Sequence, residues 1–402
     1  MTDPIDRRVM LGAAGLLGAA ALSRVASAGP LNPPAGPITP TGKTLTEVEP
    51  RIPINQTTAP GTATAIHRIT QPGSYYLTGN ILGQSGKHGI EINSPGVTLD
   101  LMGFELQGVP GSLDGVVMRS DGSPFVNISI LNGSVRNWGG AGIGYLTVFI
   151  SCVRIERIAA SLNGGSGIRG GQCTIANCTV RFNEADGIEV FGGSVISNCA
   201  ALGNSGRGFV GNTGTAISNC AAQSNGAGGI STTSSCSIVD CTAVSNAGPG
   251  IESDQGSTIS NCSAEGNEGA GITAQSNSMV SRCSSLGNIS DGIAVGNGCT
   301  VRDNNCRNNG FSLGSGAGIL VNGGADNRIE DNNCTDNTWG IRVTTAGNFI
   351  ARNTCSGNTT LNWDIAANNK CLVVDGMNAP AISGNSGGVS PGSTDPNANF
   401  TY

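Results

Sequence analysis

Residues 257–277 read STISNCSAEGNEGAGITAQSN, and the same 21-residue pattern recurs from Ile175 to Val295. Cysteine returns at Cys178, Cys199, Cys220, Cys241, Cys262 and Cys283. Five residues after each comes an asparagine (Asn183, Asn204, Asn225, Asn246, Asn267, Asn288). A glycine then follows (Gly187, Gly208, Gly229, Gly250, Gly271, Gly292), and next to it an apolar residue (Ile188, Phe209, Ile230, Ile251, Ile272, Ile293). Four landmarks holding register through six units mean stacked structural repeats, each too short to bury a face alone.

Two repeat architectures fit this period. Leucine-rich repeats share an Asn/Cys landmark but need several leucines per unit, and residues 257–277 contain none. A parallel β-helix needs only one or two inward β-branched residues per short strand, small residues elsewhere, and Gly or Asn at bends requiring φ > 0. Thr258-Ile259-Ser260-Asn261-Cys262 followed by Gly271-Ile272 supplies these. The expected fold is therefore all-β, a parallel β-helix of ~13 coils, ~60 Å long at the spacing of adjacent strands, with an N-terminal cap.

The repeat resembles those of the pectin-lyase-like superfamily, where I-x-x-N strands and N-x-x-x-G-I bends recur. The matching residues include Ile329 to Asn332, Asn204 to Phe209 and Asn225 to Ile230. Val97-Thr98-Leu99-Asp100-Leu101-Met102-Gly103-Phe104 is similar to the VTLDLNGF opening of many such proteins, with Met102 where Asn is usual. The resemblance implies the right-handed solenoid. It leaves the chemistry open, because polysaccharide lyases, hydrolases, epimerases and non-enzymatic adhesins share these repeats.

The composition agrees with a narrow core: 402 residues carry 12% charged and 4% aromatic side chains, 63 glycines and 14 cysteines. The low charge and lack of basic runs argue against nucleic acid as a partner. Residues 1–28 read as an export signal, with Arg7-Arg8 before the apolar run Val9 to Leu22 and a small-residue cleavage site at Ala26-Ser27-Ala28. Asp6-Arg7-Arg8-Val9-Met10-Leu11 resembles a twin-arginine signal, departing from it at Asp6 and Met10; an ordinary secretory peptide is the alternative. Either route predicts an extracytoplasmic protein: periplasmic, cell-surface or secreted. Removing this segment takes away three arginines and two aspartates, moving the formal charge from −6 to about −7. No membrane span is expected in the mature chain, and a monomer is.

After the signal, residues 29–60 are a Pro-rich linker, expected to fold back as a cap near Val48 to Ile54. Residues 61–85 alternate like strands and are expected to cap an otherwise open end, residues 86–375 to form the β-helix, and residues 376–402, which lack any period, to be a disordered tail.

The cysteine column invites a disulfide or zinc reading, but in-register Cβ atoms ~4.8 Å apart exceed the ~3.8 Å usual in a disulfide. The close pairs Cys173/Cys178 and Cys236/Cys241 are wider than zinc-binding C-x-x-C. The thiols are read as packed core, with Cys334 and Cys355 resuming the column; no metal and no cofactor is expected. The asparagine columns are read as stacked amides and αL bends, with a bend at Asn261 letting Ile259 and Cys262 both point inward. Gly384-Asn385-Ser386-Gly387-Gly388 fits G-x-S-x-G but lies in the aperiodic tail, without the strand–turn–helix context of a nucleophile elbow.

Catalytic material is then left on the coil exteriors. By alternation, the residue after each Gly-apolar landmark points outward, giving the column Arg169, Glu189, Val210, Ser231, Glu252, Thr273, Ala294, Leu320, Arg342. Arg169 with Glu189, and Asp186 with Arg207, fall on successive coils near one bend. These four are the candidate catalytic residues, two acids and two cations able to supply a general base and charge stabilisation. Their alternative role is two exposed ion pairs worth under ~1 kcal/mol each. Glu252 with Asp254 is a second candidate patch. Two functions stay open: binding or processing of a polysaccharide on the outer face (as lyase, hydrolase or epimerase if an enzyme), or a non-catalytic surface or structural protein.

Overall fold

A computed structural model describes residues 49–119, 125–146, 150–311, 316–375 and 395–402. Residues 1–50 and 51–402 are separate units. The signal segment, most of the linker and the G-x-S-x-G stretch lie outside the described residues.

Residues 51–402 wind as a right-handed parallel β-solenoid, and the described residues contain strands but no helix. One sheet holds 14 strands, one per coil, from Ala65–Ile69 to Leu361–Ile365. A second, 28-stranded sheet comprises two ladders joined by the 12-residue strands Phe125–Arg136 and Ile150–Ser161. In the strict repeat each coil is in register with the next, as in Ile188↔Phe209, Phe209↔Ile230 and Ile230↔Ile251. Alternation inside three-residue strands sends the central or flanking apolar residues inward: Ile196, Ile217, Ile238 and Ile259 stack fully buried along one wall. The narrow column accounts for the low aromatic content.

The corners explain the landmarks. Asn177, Asn198, Asn219 and Asn261 adopt φ of 52 to 56°, so the left-handed turn falls on them. The turn resets the alternation, and Ile259 and Cys262 are both buried, as expected. The asparagines five residues past each cysteine form a buried amide ladder instead: Asn246 Nδ2 donates to Asn267 Oδ1 at 2.9 Å, and Asn267 Nδ2 to Asn288 Oδ1 at 2.9 Å. The landmark glycines answer to space rather than to φ. A Cβ on Gly187 would lie 2.5 Å from the Gly208 carbonyl oxygen and 3.0 Å from Asn204 Nδ2.

All fourteen cysteines are free thiols, twelve of them buried. The column does not continue to Cys334 and Cys355. After Cys283 the corner position passes to Asn304, whose Oδ1 accepts the Cys283 amide at 2.9 Å, and a second amide ladder runs through Asn332, Asn353 and Asn399. Cys306, Cys334 and Cys355 form a different column, two residues further along the coil and in register with Ser285. A thiol donating to the carbonyls beneath it and an amide bridging coils are interchangeable at this corner; Cys262 Sγ lies 3.2 Å from the Ser260 oxygen.

The ends differ from expectation. Ala65–Ile69 and Gly73–Tyr76 pair in parallel with the next coil (Ile69↔Ile92, Tyr75↔Leu99), so the stretch expected to cap the helix is its first coil, and the coil number slightly exceeds the expected one. Ahead of it, Ile52–Pro53 pairs with Tyr75–Tyr76, and Ile54 and Ala59 are buried. At the other end Asn399–Thr401, placed in a disordered tail by composition, is a strand beside Thr354–Ser356, held because Asn399 completes the amide ladder.

Candidate functional site

The outer face of the 14-stranded sheet carries the expected column. Arg169↔Glu189, Glu189↔Val210, Val210↔Ser231, Ser231↔Glu252, Glu252↔Thr273, Thr273↔Ala294, Ala294↔Leu320 and Leu320↔Arg342 are successive register partners. At its N-terminal end, where coil lengths are irregular, the sheet carries an open cleft of about 450 Å³ lined by Asp114, Tyr145, Arg169, Asp186 and Glu189 among others. This volume falls in the range of small-ligand sites.

Three of the four candidate residues meet in this cleft. Arg169 Nε donates to Glu189 Oε2 at 2.8 Å, with the two side chains 39% and 28% exposed, and the guanidinium lies 5.3 Å from the Tyr145 ring centroid. Asp186 does not pair with the Arg207 side chain. Its Oδ1 accepts the Arg207 backbone amide at 2.7 Å, closing the corner between coils. The Arg207 guanidinium reaches two coils along instead, its Nη2 lying 3.8 Å from Glu252 Oε2, so the expected second ion pair is replaced by a longer one and Glu252 gains a cation. A corner carboxylate prefers its neighbour's N–H, which is fixed in place, over a long side chain that must be ordered.

Reading the repeat alone passed over Asp114, Tyr145 and His88. Asp114 stands at the same corner position as Asp186, before Gly115-Val116, and its Oδ1 accepts the Ala141 amide at 2.6 Å. Its other oxygen lies 3.4 Å from His88 Nδ1. The same nitrogen lies 3.1 Å from the Asp114 backbone N–H, which it accepts when unprotonated. Burial accordingly pushes His88 below its ordinary range and Asp114 above the usual carboxylate range, the Ala141 hydrogen bond and the His88 and Arg169 charges opposing the latter. Burial also raises the Tyr145 phenol. Tyr145 packs edge-on against the exposed Phe191, ring centroids 5.9 Å apart. The recurring Asp-Gly-apolar triplet at Asp114 and Asp186 was the signal available in the sequence.

The cleft thus brings together a carboxyl biased towards its protonated form, a carboxylate held against a guanidinium, a second corner carboxylate and an aromatic face. Such a set can donate a proton, accept one, stabilise charge and offer a flat apolar surface. Among the described residues no three or more His, Cys, Asp or Glu side chains converge as a metal-ligand set. No helix among them is long and apolar enough to cross a membrane.

Fold and register define a right-handed parallel β-helix. A family model described as right handed beta helix region matches residues 209–386. Among solved structures, the chain is similar to two Azotobacter vinelandii mannuronan C-5 epimerase A-modules. The AlgE4 module is 20% identical, TM-score 0.51, over 74% of this chain and 91% of that one. The AlgE6 module is 17% identical, TM-score 0.54, over 74% and 89%. At such identity the likeness concerns the fold. No curated protein sequence matches the chain.

Proposed function

We propose that the protein is an exported polysaccharide-binding and polysaccharide-processing β-helix protein, with the cleft at Asp114, Tyr145, Arg169, Asp186 and Glu189 as its site. The observation that carries this reading is the convergence of acid, base, cation and aromatic groups on one open cleft along the strands, where an extended chain can lie across successive coils. The two epimerase modules act on a polysaccharide by name, which makes glycans the first ligands to try. In this reading Asp114 is the proton donor, Glu189 and Asp186 supply the anionic base, and Arg169 stabilises developing negative charge.

A second reading, a non-catalytic surface protein, draws on one observation: each acid is already engaged, Glu189 by Arg169, Asp186 by the Arg207 amide and Asp114 by the Ala141 amide. Binding of the chain to neutral and acidic glycans, with product analysis, separates the two. Processing predicts that Glu189→Gln and Asp186→Asn each lower turnover at least about 100-fold with thermal stability nearly unchanged. Binding without product supports the surface protein, full activity in both variants removes the acid/base assignment, and binding to none of the glycans removes the polysaccharide reading.

A further inference from the structure

The constellation at the cleft occurs twice on the same sheet. Asp291 precedes Gly292-Ile293 as Asp114 precedes Gly115-Val116, and its Oδ1 accepts the Ala317 amide of the next coil at 2.7 Å, as Asp114 Oδ1 accepts that of Ala141 at 2.6 Å. Two coils beyond Asp114 stands Arg169 and three coils beyond stands Glu189; two coils beyond Asp291 stands Arg342 and three beyond stands Asp364. Arg342 and Asp364 are register partners with Nε and Oδ2 3.0 Å apart, their side chains 35% and 39% exposed, close to the values for Arg169 and Glu189. Each guanidinium also covers an aromatic ring, Arg342 lying 4.7 Å from the centroid of the half-buried Trp339. The aromatic residue is recruited differently, Tyr145 from the coil before its arginine and Trp339 from the arginine's own strand. Burial raises Asp291 above the usual carboxylate range, as it raises Asp114.

We propose that Asp291, Trp339, Arg342 and Asp364 form a second carbohydrate subsite, and that one neutral polysaccharide strand lying along the sheet engages both clusters; this rests on the polysaccharide reading of the first cleft. Eight coil steps separate the strands that follow Asp114 and Asp291, which is ~38 Å at the spacing of parallel strands. The outward column between them is mostly uncharged: Val210, Ser231, Thr273, Ala294 and Leu320, with Glu252 facing Arg207. Charge sets the ligand class. At each cluster the guanidinium is matched by the carboxylate of the next coil, so neither cluster offers an unmatched cation to a polyanion. Sugar hydroxyls can donate to those carboxylates, and a sugar ring can lie on Tyr145 or Trp339. Two linked contacts raise affinity for long chains by about 10²- to 10⁴-fold over either alone.

Tryptophan emission tests this. Of the three tryptophans, Trp138 is fully buried and Trp363 packs partly buried against the core with Nε1 donating to Thr401 Oγ1, so loss of the emission change in Trp339→Phe assigns it to Trp339 at the second cluster. The full chain is titrated with dextran, with xylan and, as polyanion, with polygalacturonate, each as polymer and short oligomer. The expected result is an emission change with a neutral polymer that survives in Tyr145→Ala and is lost in Arg342→Ala. Arg342→Ala also weakens polymer binding at least about 10-fold while leaving oligomer binding at the first cleft unchanged. Polymer binding lost in Tyr145→Ala but unmoved in Arg342→Ala, with no emission change, overturns the second subsite and leaves the first. An emission change retained in Tyr145→Ala without any oligomer binding keeps the second subsite and removes the first. Response to polygalacturonate alone overturns the neutral class, and response to none of the three overturns both.

Discussion

Replacing Asn267 by alanine removes four side-chain hydrogen bonds from the middle of the amide ladder. Its Oδ1 accepts the Asn246 backbone N–H at 3.0 Å and Asn246 Nδ2 at 2.9 Å; its Nδ2 donates to the Ala243 carbonyl at 3.0 Å and Asn288 Oδ1 at 2.9 Å. Asn267 and Asn246 are fully buried, so no water replaces the lost partner. The Asn246 N–H is left orphaned at about 1 to 3 kcal/mol, and the other three bonds contribute about 0.5 to 1.5 kcal/mol each, which together predicts a loss of about 2.5 to 7.5 kcal/mol. Asn261→Ala is the control. Asn261 is exposed with φ 55° and its Oδ1 accepts Arg282 Nε at 2.9 Å, so its replacement costs the left-handed backbone penalty, about 1 to 2 kcal/mol, and one solvent-exposed hydrogen bond. Urea unfolding monitored by circular dichroism gives both values. Because a solenoid can break locally, hydrogen exchange at the Asn246 amide gives a site-specific check, with faster exchange expected in Asn267→Ala. If Asn267→Ala costs no more than Asn261→Ala and the Asn246 amide stays protected, the ladder does not hold the coils together.

The thiols and the buried titrating pair carry further expectations. A thiol reagent should modify the exposed Cys152 in the native chain and the twelve buried cysteines only after denaturant is added; early labelling of the Cys178 to Cys283 column would refute their packing. Burial pushes Cys173 up to about 11, which further protects it. Cys262→Ser should cost about 1 to 3 kcal/mol, towards the lower end because the Ser260 carbonyl can accept the hydroxyl. For Asp114, the folded pKa stands above the ordinary 3.8, so its contribution to stability is fully present below 3.8 and lost as pH rises through the raised value. His88, held below 6.5, contributes stability that is present above 6.5 and lost as pH falls through its lowered value. Asp114→Asn keeps the acceptor for the Ala141 amide and should therefore stabilise the chain at about pH 7 but not at about pH 3; equal offsets at both pH values in thermal melts would count against the burial argument.

The strict repeat made the architecture and one whole face legible. A fixed 21-residue period lets alternation be counted from coil to coil, and the outward series from Arg169 to Arg342 is the series the sheet presents. The same counting failed where two side chains do one job. Cys283 hands its corner to Asn304 because a thiol and an amide both satisfy backbone groups there, whereas cysteine spacing alone leads to Cys334 and Cys355. It failed also for Arg207, whose column was right but whose guanidinium extends to Glu252, since a long side chain's partner is set by reach and not by register.

The part of the site that stayed hidden has a common cause. Asp114, Tyr145 and His88 belong to coils of irregular length, where no period assigns a position to a face. Identical coils present identical outer surfaces, so a strict repeat can align like groups but cannot gather unlike ones. Gathering an acid, a cation and an aromatic ring needs coils that differ, and each cluster straddles one end of the strict repeat, Asp114 to Glu189 at its start and Asp291 to Asp364 at its close. What crosses that boundary is the Asp-Gly-apolar corner, fixed by two local demands: a carboxylate that accepts the next coil's amide and a glycine that leaves room for its carbonyl. A corner motif therefore marks a candidate position on a solenoid where periodicity cannot, because its cause lies between adjacent coils and not in the length of either.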